Sequence, residues 1–365
     1  MTARVKRLKE GIPWQHQELP DEILSEQSNT VCITRYGGIG DMIQMSSILS
    51  VLKREGYKIT VNTTDSGYDV LKHDPRIDAF FLQQHNQVPN CELGLYWDEL
   101  AQGYDRHIQL SEVVEIGLLP AHHKEEFYLP KDERHNRFNV NYLERIHEVA
   151  GVDFEPDPRF YPTLPERKKI QQFINRIGKR KFNVIYSLSG SSVHKIWPYM
   201  DQYFAYFLHE YDDVQFVTVG SGHDAMLEVG WEKEPRVITK CGKFSVREAL
   251  TLTEHGNLLV GTETGLLNAA GFSDVPKICM LSHSTEENLT KHWKNTVTME
   301  PEDTPCYPCH RLHYSYDYCP RDEATGVSLC ASNIGFDRLI KATEEVYMQW
   351  RDHHDVSGAG SAVCA

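Results

Sequence analysis

Short apolar runs rich in β-branched residues recur along the chain, and stretches with helical periodicity lie between most of them. In the first half these runs predict strands at residues 31–34, 57–62, 77–82 and 104–110. In the second half they predict strands at residues 182–188, 214–219, 236–239, 257–260 and 275–281. Because strands that alternate with helices favour a mostly parallel sheet, the pattern predicts an α/β protein with two such halves.

The pattern changes between residues 151 and 165, where the chain is rich in proline. We interpret this stretch as an extended linker and place the domain boundary between residues 155 and 156. The predicted organisation then consists of consecutive segments along the chain. They are an irregular lead-in over 1–29, an N-terminal domain over 30–155, a C-terminal domain over 156–335, a last helix over 336–351 and a disordered tail of small residues over 352–365.

Composition narrows the class of protein. The chain has 365 residues, of which 40% are hydrophobic and 25% charged, which suits two globular domains. Its formal net charge of −14 argues against nucleic acid or an anionic membrane surface as a partner. No apolar run is long enough to span a bilayer, and the basic N-terminus has no apolar core behind it. We therefore expect a cytoplasmic protein with reduced thiols.

Three glycines and an aspartate follow the first predicted strand. Gly37, Gly38 and Gly40 allow a sharp turn, and Asp41 stands where a helix N-cap would sit. In a parallel sheet this turn lies at the carboxyl end of the strand, where α/β proteins bind ligands. The loop lacks the third glycine of the Gly-x-Gly-x-x-Gly dinucleotide motif, so an ordinary capped helix start explains it as well as a nucleotide or sugar site does.

Polar loops after predicted strands of the second half are candidates for binding a nucleotide. They contain Ser189, Gly190, Gly220 and the run 261–265. Backbone N–H groups at the start of the following helix are typical of an anion site, although an ordinary capped helix is the simpler interpretation of that run alone. Lys195 either supplies a cation for a phosphate or is a surface lysine beside a packing tryptophan.

Four cysteines lie in one segment with little other pattern: Cys306, Cys309, Cys319 and Cys330. Cys-x-x-Cys followed by two further thiols suits a tetrahedral site for zinc or iron. Free thiols are the alternative, because the last two cysteines are singly spaced. The histidines show no HExxH-like spacing, and we interpret them as structural or substrate-adjacent residues instead of ligands. This interpretation covers His122, His123, His194, His283 and His292.

The order of these weak motifs resembles glycosyltransferase family 9, the ADP-heptose:lipopolysaccharide heptosyltransferases. The resemblance covers roughly residues 30–350. Its motifs are Arg35 with Gly40-Asp41, Pro75-Arg-Ile-Asp78, Lys195-x-Trp-Pro198, the run 245–252, the run 260–265 and Val275-Pro276. The resemblance implies the GT-B fold, in which two Rossmann-like domains face a central cleft. The N-terminal domain then holds the acceptor and the C-terminal domain the nucleotide-sugar.

The resemblance also implies roles for individual residues. Asp41 is the general base that removes the proton of the acceptor hydroxyl, with Gly38 and Gly40 in the acceptor loop. Lys195 binds the donor phosphates, and Thr264 and Gly265 hold the diphosphate leaving group. The cysteine segment resembles the iron-binding motif of the autotransporter heptosyltransferases, where the metal is structural. No cofactor is therefore expected for the inverting reaction itself.

Three parts of the family's motifs differ in this chain, and in the family those parts touch the donor sugar or its phosphates. Glu263 stands where the family has aspartate, Asn268 replaces a histidine, and residues 283–285 replace Gly-Pro-Thr. The expected function is transfer of a heptose-like sugar from a nucleotide-sugar, with ADP favoured, to a hydroxyl of a glycan or protein. The alternatives are a non-catalytic nucleotide-sugar-binding or assembly protein of the same fold and a sugar-nucleotide 2-epimerase. Self-association of the chain is left open.

Overall fold

The computed structural model describes residues 29–84, 87–178 and 181–359, with side chains as far as residue 353. The chain divides into two compact units. Unit 1 runs to Gly117 and includes Tyr142–Tyr161, whereas unit 2 contains Leu118–Asn141 and the chain from Pro162 onward. Except for Asn29, the predicted lead-in over 1–29 lies outside the described residues.

The described residues form ten strands and thirteen α-helices. The strands are β1 (Asn29–Thr34), β2 (Tyr57–Thr63), β3 (Ala79–Leu82), β4 (Arg106–Gln109), β5 (Phe182–Ser187), β6 (Val214–Val219), β7 (Val237–Thr239), β8 (Leu258–Thr262), β9 (Lys277–Met280) and β10 (Thr296–Met299). The helices are α1 (Ile39–Met45), α2 (Leu49–Arg54), α3 (Asp65–Leu71), α4 (Leu93–Ala101), α5 (Val113–Gly117), α6 (Lys131–Phe138), α7 (Tyr142–Ala150), α8 (Leu164–Ile177), α9 (Met200–Glu210), α10 (Val246–Leu252), α11 (Gly265–Ala270), α12 (Leu329–Ser332) and α13 (Phe336–Ala359).

Unit 1 is built on a parallel sheet with the strand order β3-β2-β1-β4. The central strand β1 is apolar on both faces, and Val31, Cys32 and Ile33 are fully buried. A strand buried on both faces shows a continuous apolar run instead of an alternating one, which is why this strand was readable from sequence.

Unit 2 is built on a second parallel sheet, with the strand order β10-β9-β8-β5-β6-β7. Side chains of β5 alternate between two apolar clusters, because successive residues of a strand point to opposite faces. Val184 belongs to a cluster that contains Phe204 and Phe216. Ile185 belongs to the other cluster, with Phe173. Helices cover both faces, and the two parallel sheets confirm the predicted α/β class.

The boundary between the units differs from the predicted one in two respects. Unit 1 continues to Tyr161, because Arg76 donates to the Asp157 carbonyl at 2.9 Å and so ties the proline-rich stretch to unit 1. Segment 118–141 was assigned to the N-terminal domain but belongs to unit 2. The Asn288 side chain donates to the carbonyls of Phe138 and Val140 at 2.8 and 2.9 Å, which attaches that segment to unit 2.

Strand β10 and the end of helix α13 also differ from the prediction. Strand β10 was missed, since it is an edge strand of only four residues, two of which are threonine. Helix α13 continues to Ala359, eight residues beyond the predicted end at Arg351. The added stretch contains no proline, and its small residues do not stop a helix that is already formed. Residues 360–365 of the predicted tail lie outside the described residues.

Candidate active site

Each sheet has one point where the order of its strands reverses. In unit 1 the chain builds β2 and β3 on one side of β1 and then crosses to place β4 on the other. In unit 2 it builds β6 and β7 on one side of β5 and then places β8 on the other. Open α/β sheets bind ligands beyond the carboxyl ends of the strands at such points. Asp41 follows β1, whereas Lys195 and Glu263 follow β5 and β8.

The turn after β1 depends on glycine for a geometric reason. Gly37 has φ +127°, and a Cβ atom at this residue would collide with the carboxylate of Asp41. Gly38 is the N-cap of α1, and its N–H donates to Asp41 Oδ2 at 2.7 Å. Gly40 lies in the first turn of the helix. Asp41 is therefore the third residue of α1, where its carboxylate accepts from the N–H of the N-cap residue, and is not itself the N-cap.

The carboxylate of Asp41 is held mainly through one of its oxygens. Oδ1 accepts hydrogen bonds from Arg35 Nη2 at 2.5 Å and from the Tyr142 hydroxyl at 2.6 Å. Arg35 Nη1 also donates to the carbonyls of Leu110 and Ser111 beyond β4, which fixes the guanidinium across the reversal point. The side chain of Arg35 is 2% exposed and that of Asp41 is 26% exposed. One edge of the carboxylate is thus clamped and the group remains accessible to solvent.

Burial controls the protonation of the groups around Asp41. It raises the pKa of Tyr142 well above its ordinary value, so the hydroxyl keeps its proton and donates it to Asp41. Burial favours neutral Arg35, yet the pKa of Arg35 is raised because Tyr142, Asp41 and Glu115 face the guanidinium. Burial also raises the pKa of Glu115, and its Oε2 atom has no hydrogen-bond partner among the described residues.

Lys195 and Glu263 meet at the reversal point of the second sheet. Lys195 Nζ donates to the backbone carbonyl of Glu263 at 3.0 Å and lies 3.9 Å from the Glu263 carboxylate. Its side chain is 11% exposed. A Cβ atom at Gly190 would lie only 2.5 Å from Lys195 Cδ, so this glycine makes room for the lysine stem. Gly190, Lys195 and Glu263 therefore form one cluster.

Glu263 is itself directed into the protein. Its carboxylate lies 2.6 Å from His283 Nδ1 and accepts hydrogen bonds from the hydroxyls of Ser282, at 2.5 Å, and Ser284, at 3.3 Å. Burial alone would raise the pKa of Glu263, but His283 and Lys195 lower it to about 2. Glu263 thus places a buried negative charge under the loop, and the neighbouring His283 and Lys195 compensate it.

The other predicted donor residues surround this cluster. Thr264 is the N-cap of α11 but makes no capping bond; its hydroxyl lies 3.3 Å from Ser187 Oγ. Gly265 begins the helix, and Asn268 donates to the Thr264 carbonyl at 2.9 Å. Helix α11 has only six residues, so charge and hydroxyl groups count for more here than a helix dipole.

Ser189 and Gly220 both lie next to Asp224, a residue that the sequence analysis did not identify. The carboxylate of Asp224 accepts from the hydroxyl of Ser189 and from the N–H of Ser221. A Cβ atom at Gly220 would lie 2.7 Å from that carboxylate. The loops after β5 and β6 are thereby joined. A glycine-serine loop followed by an acidic residue was the only available signal for Asp224.

The four cysteines of the segment 306–330 line one small cavity, together with His194 and His313. All four cysteines are free thiols. The ligand atoms of His194, His313 and Cys319 lie within 4.8 Å of one another. Sulfur and imidazole nitrogen suit zinc or iron, so the residues fit the metal that the sequence predicted. His313 was not identified as a candidate, and His194 was interpreted as a non-ligand.

Several solved structures that are similar to this chain are glycosyltransferases. The chain is similar to a glycosyltransferase of family 9 from Veillonella parvula, with 15% identity, a TM-score of 0.62, and coverage of 88% of this chain and 97% of that one. It is similar to the ADP-heptose lipopolysaccharide heptosyltransferase II of E. coli, with 14% identity, a TM-score of 0.60, and coverage of 88% and 99%. It is also similar to TibC of enterotoxigenic E. coli, an iron-containing dodecameric glycosyltransferase, with 14% identity, a TM-score of 0.57, and coverage of 89% and 80%.

These likenesses show the fold, which is the two-domain GT-B-like α/β fold that the sequence resemblance implied. No protein-family model and no curated protein matches the chain. Among the described residues, no helix is both long enough and apolar enough to cross a membrane.

Proposed function

We propose that the protein is a glycosyltransferase that moves a sugar from a nucleotide-sugar to an acceptor hydroxyl, with inversion at the anomeric carbon. The observation that carries the proposal is the carboxylate of Asp41, which is partly exposed at the strand-order reversal and clamped by Arg35 and Tyr142. The fold shared with known glycosyltransferases supports it.

Asp41 acts as the general base through Oδ2. Oδ1 already accepts two hydrogen bonds, whereas Oδ2 accepts one, from Gly38, and so retains a lone pair for the acceptor hydroxyl. As the hydroxyl oxygen forms its bond to the anomeric carbon, its proton passes to Oδ2 and the bond to the diphosphate breaks. A fixed carboxylate contributes because little reorientation is needed when the proton moves.

The loops of unit 2 act on the leaving group. The nucleoside diphosphate gains negative charge as its bond to the sugar breaks. Lys195 stabilises this charge as a cation, and the Thr264 hydroxyl stabilises it as a hydrogen-bond donor. The lysine keeps donors beyond the one given to the Glu263 carbonyl, because an ammonium group has three. Glu263 and Asn268 position the loop in this mechanism. Ser189 and Gly220 lie in the loops at the same edge of the sheet.

The donor we favour is an ADP-linked, heptose-like sugar. One structure with this fold, TibC, is described in complex with ADP-D-beta-D-heptose, at 12% identity and a TM-score of 0.57. The acceptor is a hydroxyl of a glycan or protein. The described cysteines are free thiols, which fits a cytoplasmic site of action. A metal at the cysteine segment has a structural role and takes no part in the transfer.

A second candidate function is a non-catalytic nucleotide-sugar-binding protein. The observation that favours it is the burial of Glu263, whose carboxylate is engaged by His283 and Ser282. A loop altered in this way binds a nucleotide without the geometry needed for transfer. Binding and turnover must therefore be measured separately.

The first experiment is a thermal-shift screen of the protein against ADP-, UDP-, GDP- and CMP-sugars and the free nucleotides. A ligand at 100 times its Kd stabilises the folded protein by about 2.7 kcal/mol. The nucleotide series that raises the melting temperature therefore identifies the base that the protein binds. Turnover of that donor is then compared in wild type, Asp41→Asn and the exposed control Asp65→Asn. We expect Asp41→Asn alone to lose at least about 100-fold in turnover. Binding with no turnover supports the second candidate, and no shift with any donor contradicts both.

A further inference from the structure

The cavity beside the cysteine segment contains imidazole nitrogens as well as thiols. His194 lies in the turn Val193–Lys195, directly before the lysine assigned to the donor phosphates. His313 and Cys319 lie in the cysteine segment. The rings of His194 and His313 are 4.8 Å apart between centroids, and Cys319 Sγ lies 3.7 Å from His313 Nε2. All three residues offer a ligand atom within 4.8 Å of the others.

The hydrogen bonds of the two histidines leave one nitrogen of each ring available. His313 Nδ1 lies 3.1 Å from the Ser315 carbonyl. A carbonyl only accepts, so Nδ1 carries the proton and Nε2 presents its lone pair toward Cys319. His194 Nε2 lies 3.0 Å from the Ser192 hydroxyl, whereas its Nδ1 is buried and has no hydrogen-bond partner in the part of the chain that the structure describes. Metal-bound histidines are typically oriented in this way by a partner on the other nitrogen.

A buried polar atom without a hydrogen-bond partner normally lowers the stability of the fold, so such an atom often marks a place where a ligand or ion binds. His194 Nδ1 is such an atom, and it lies in a ring whose neighbours are His283, His313 and the thiol-lined cavity. A metal ion would satisfy it. A set of four thiolates alone would leave it without a partner. The chemistry of the cavity therefore extends beyond the cysteines.

We propose that the metal centre of this protein has mixed ligands, with His194 Nδ1, His313 Nε2 and Cys319 Sγ binding a divalent zinc or iron ion. The proposal rests on the proposed metal at the cysteine segment but not on sugar transfer. The remaining thiols of the cavity are Cys306, Cys309 and Cys330, and the fourth position falls to one of them.

The ligand set gives the metal a definite structural task. Binding through His194 fixes the turn that ends at Lys195, whose Nζ reaches the Glu263 carbonyl at 3.0 Å. His194 also packs against His283, the partner of Glu263, at 5.2 Å between ring centroids. Loss of the metal should therefore weaken nucleotide binding without changing any residue that contacts the nucleotide.

The test is X-ray absorption spectroscopy on the full-length protein as purified, together with its metal content. We expect one zinc or iron per chain with two nitrogen neighbours at about 2.0–2.1 Å in addition to sulfur at about 2.3 Å. A shell of sulfur alone would overturn the proposal, and so would absence of bound metal after zinc is added to the chelator-treated protein. The wild-type spectrum needs no variant to fold.

Variants supply the second measurement. We expect His313→Gln and His194→Gln to weaken zinc binding by at least about 100-fold, since loss of a partner that merely orients a ligand costs 10- to 100-fold. The matched control is His123→Gln, whose imidazole is exposed and should leave zinc binding unchanged. Full zinc occupancy in both ligand variants would overturn the proposal. Metal content and turnover are separate readouts, so failure of the proposed transferase activity does not affect this result.

Discussion

The guanidinium of Arg35 and the carboxylate of Asp41 meet at 2.5 Å, with the arginine side chain 2% exposed and the aspartate 26% exposed. The pair is asymmetric: the cation is in the interior and the anion is at the surface. Burying the charge of Arg35 costs desolvation free energy, which offsets the attraction between the two groups. The pair therefore orients the Asp41 carboxylate more than it stabilises the fold. The relationship explains how a carboxylate at a glycine turn keeps one orientation.

Tyr142→Phe tests this positioning role. The hydroxyl donates to Asp41 Oδ1 at 2.6 Å, so its removal loosens the carboxylate without touching the acceptor. We expect kcat to fall by about tenfold with the KM for the donor unchanged, and the free energy of unfolding to fall by about 1 kcal/mol. Steady-state kinetics and urea unfolding check the two effects. The control Tyr68→Phe, at a partly exposed ring, should change neither, and an unchanged kcat in Tyr142→Phe would contradict the role.

Gly37→Ala and Gly56→Ala separate backbone strain from collision. Gly37 has φ +127° and Gly56 has φ +87°, so both substitutions strain the backbone. A Cβ at Gly56 meets nothing within 4 Å, whereas at Gly37 it would collide with the Asp41 carboxylate. We expect Gly56→Ala to cost about 1 kcal/mol of unfolding free energy and Gly37→Ala about 2–3 kcal/mol. Only Gly37→Ala should also reduce turnover; equal losses of stability and normal turnover in both variants would contradict this account.

Local features of the sequence predicted much of this protein. Strands such as β1 were readable because they are buried on both faces, and the turn at Gly37 because glycine has a conformational reason to be there. Asp41 was expected at the same turn, although as the N-cap and not as the third residue of α1. These features depend on residues that are adjacent in the sequence, so they can be recognised from the sequence alone.

The partners that give these residues their chemistry were not predictable in the same way. Tyr142 lies 101 positions from Asp41, and no local pattern connects the two. His194 and His313 come together only when β5 and the cysteine segment pack in unit 2, so His194 was interpreted without the second ring. Segment 118–141 was assigned to the wrong half because its hydrogen bonds to unit 2, such as those of Asn288, are long-range.

Lys195→Met tests the proposed phosphate cation. Methionine keeps the length and apolar character of the stem, so the substitution removes mainly the charge. A hydrogen bond to a charged group contributes about 1.5–3 kcal/mol, so we expect the Kd for the nucleoside diphosphate to rise by about 10- to 150-fold. Isothermal titration calorimetry measures it. The exposed Lys169, paired with Glu248, gives the control Lys169→Met, which should bind normally. A normal Kd in Lys195→Met would remove the residue from the site.

The buried charge of Glu263 predicts a dependence of stability on pH. His283 and Lys195 outweigh burial and lower the pKa of Glu263 in the folded protein to about 2, from an ordinary value of 4.5. The unfolded chain therefore binds a proton at higher pH than the folded chain does. The stabilising contribution of Glu263 is fully present above about pH 4.5 and is lost as the pH falls toward 2. Glu263→Gln should lower the free energy of unfolding at pH 7 and flatten its pH dependence in this window, as measured by urea unfolding.

Glu166→Gln is the matched control for that measurement. Burial opposes ionisation of Glu166, but Arg247 at 2.7 Å lowers the pKa of Glu166 to about 2 as well, so its variant should flatten the same window. Glu166 caps α8 and has no part in the donor loop, so Glu166→Gln should leave nucleotide binding intact. Glu263→Gln should weaken it, because Lys195 and His283 both lose their anionic neighbour. If the two variants bind nucleotide equally well, Glu263 stabilises the fold without positioning the donor loop.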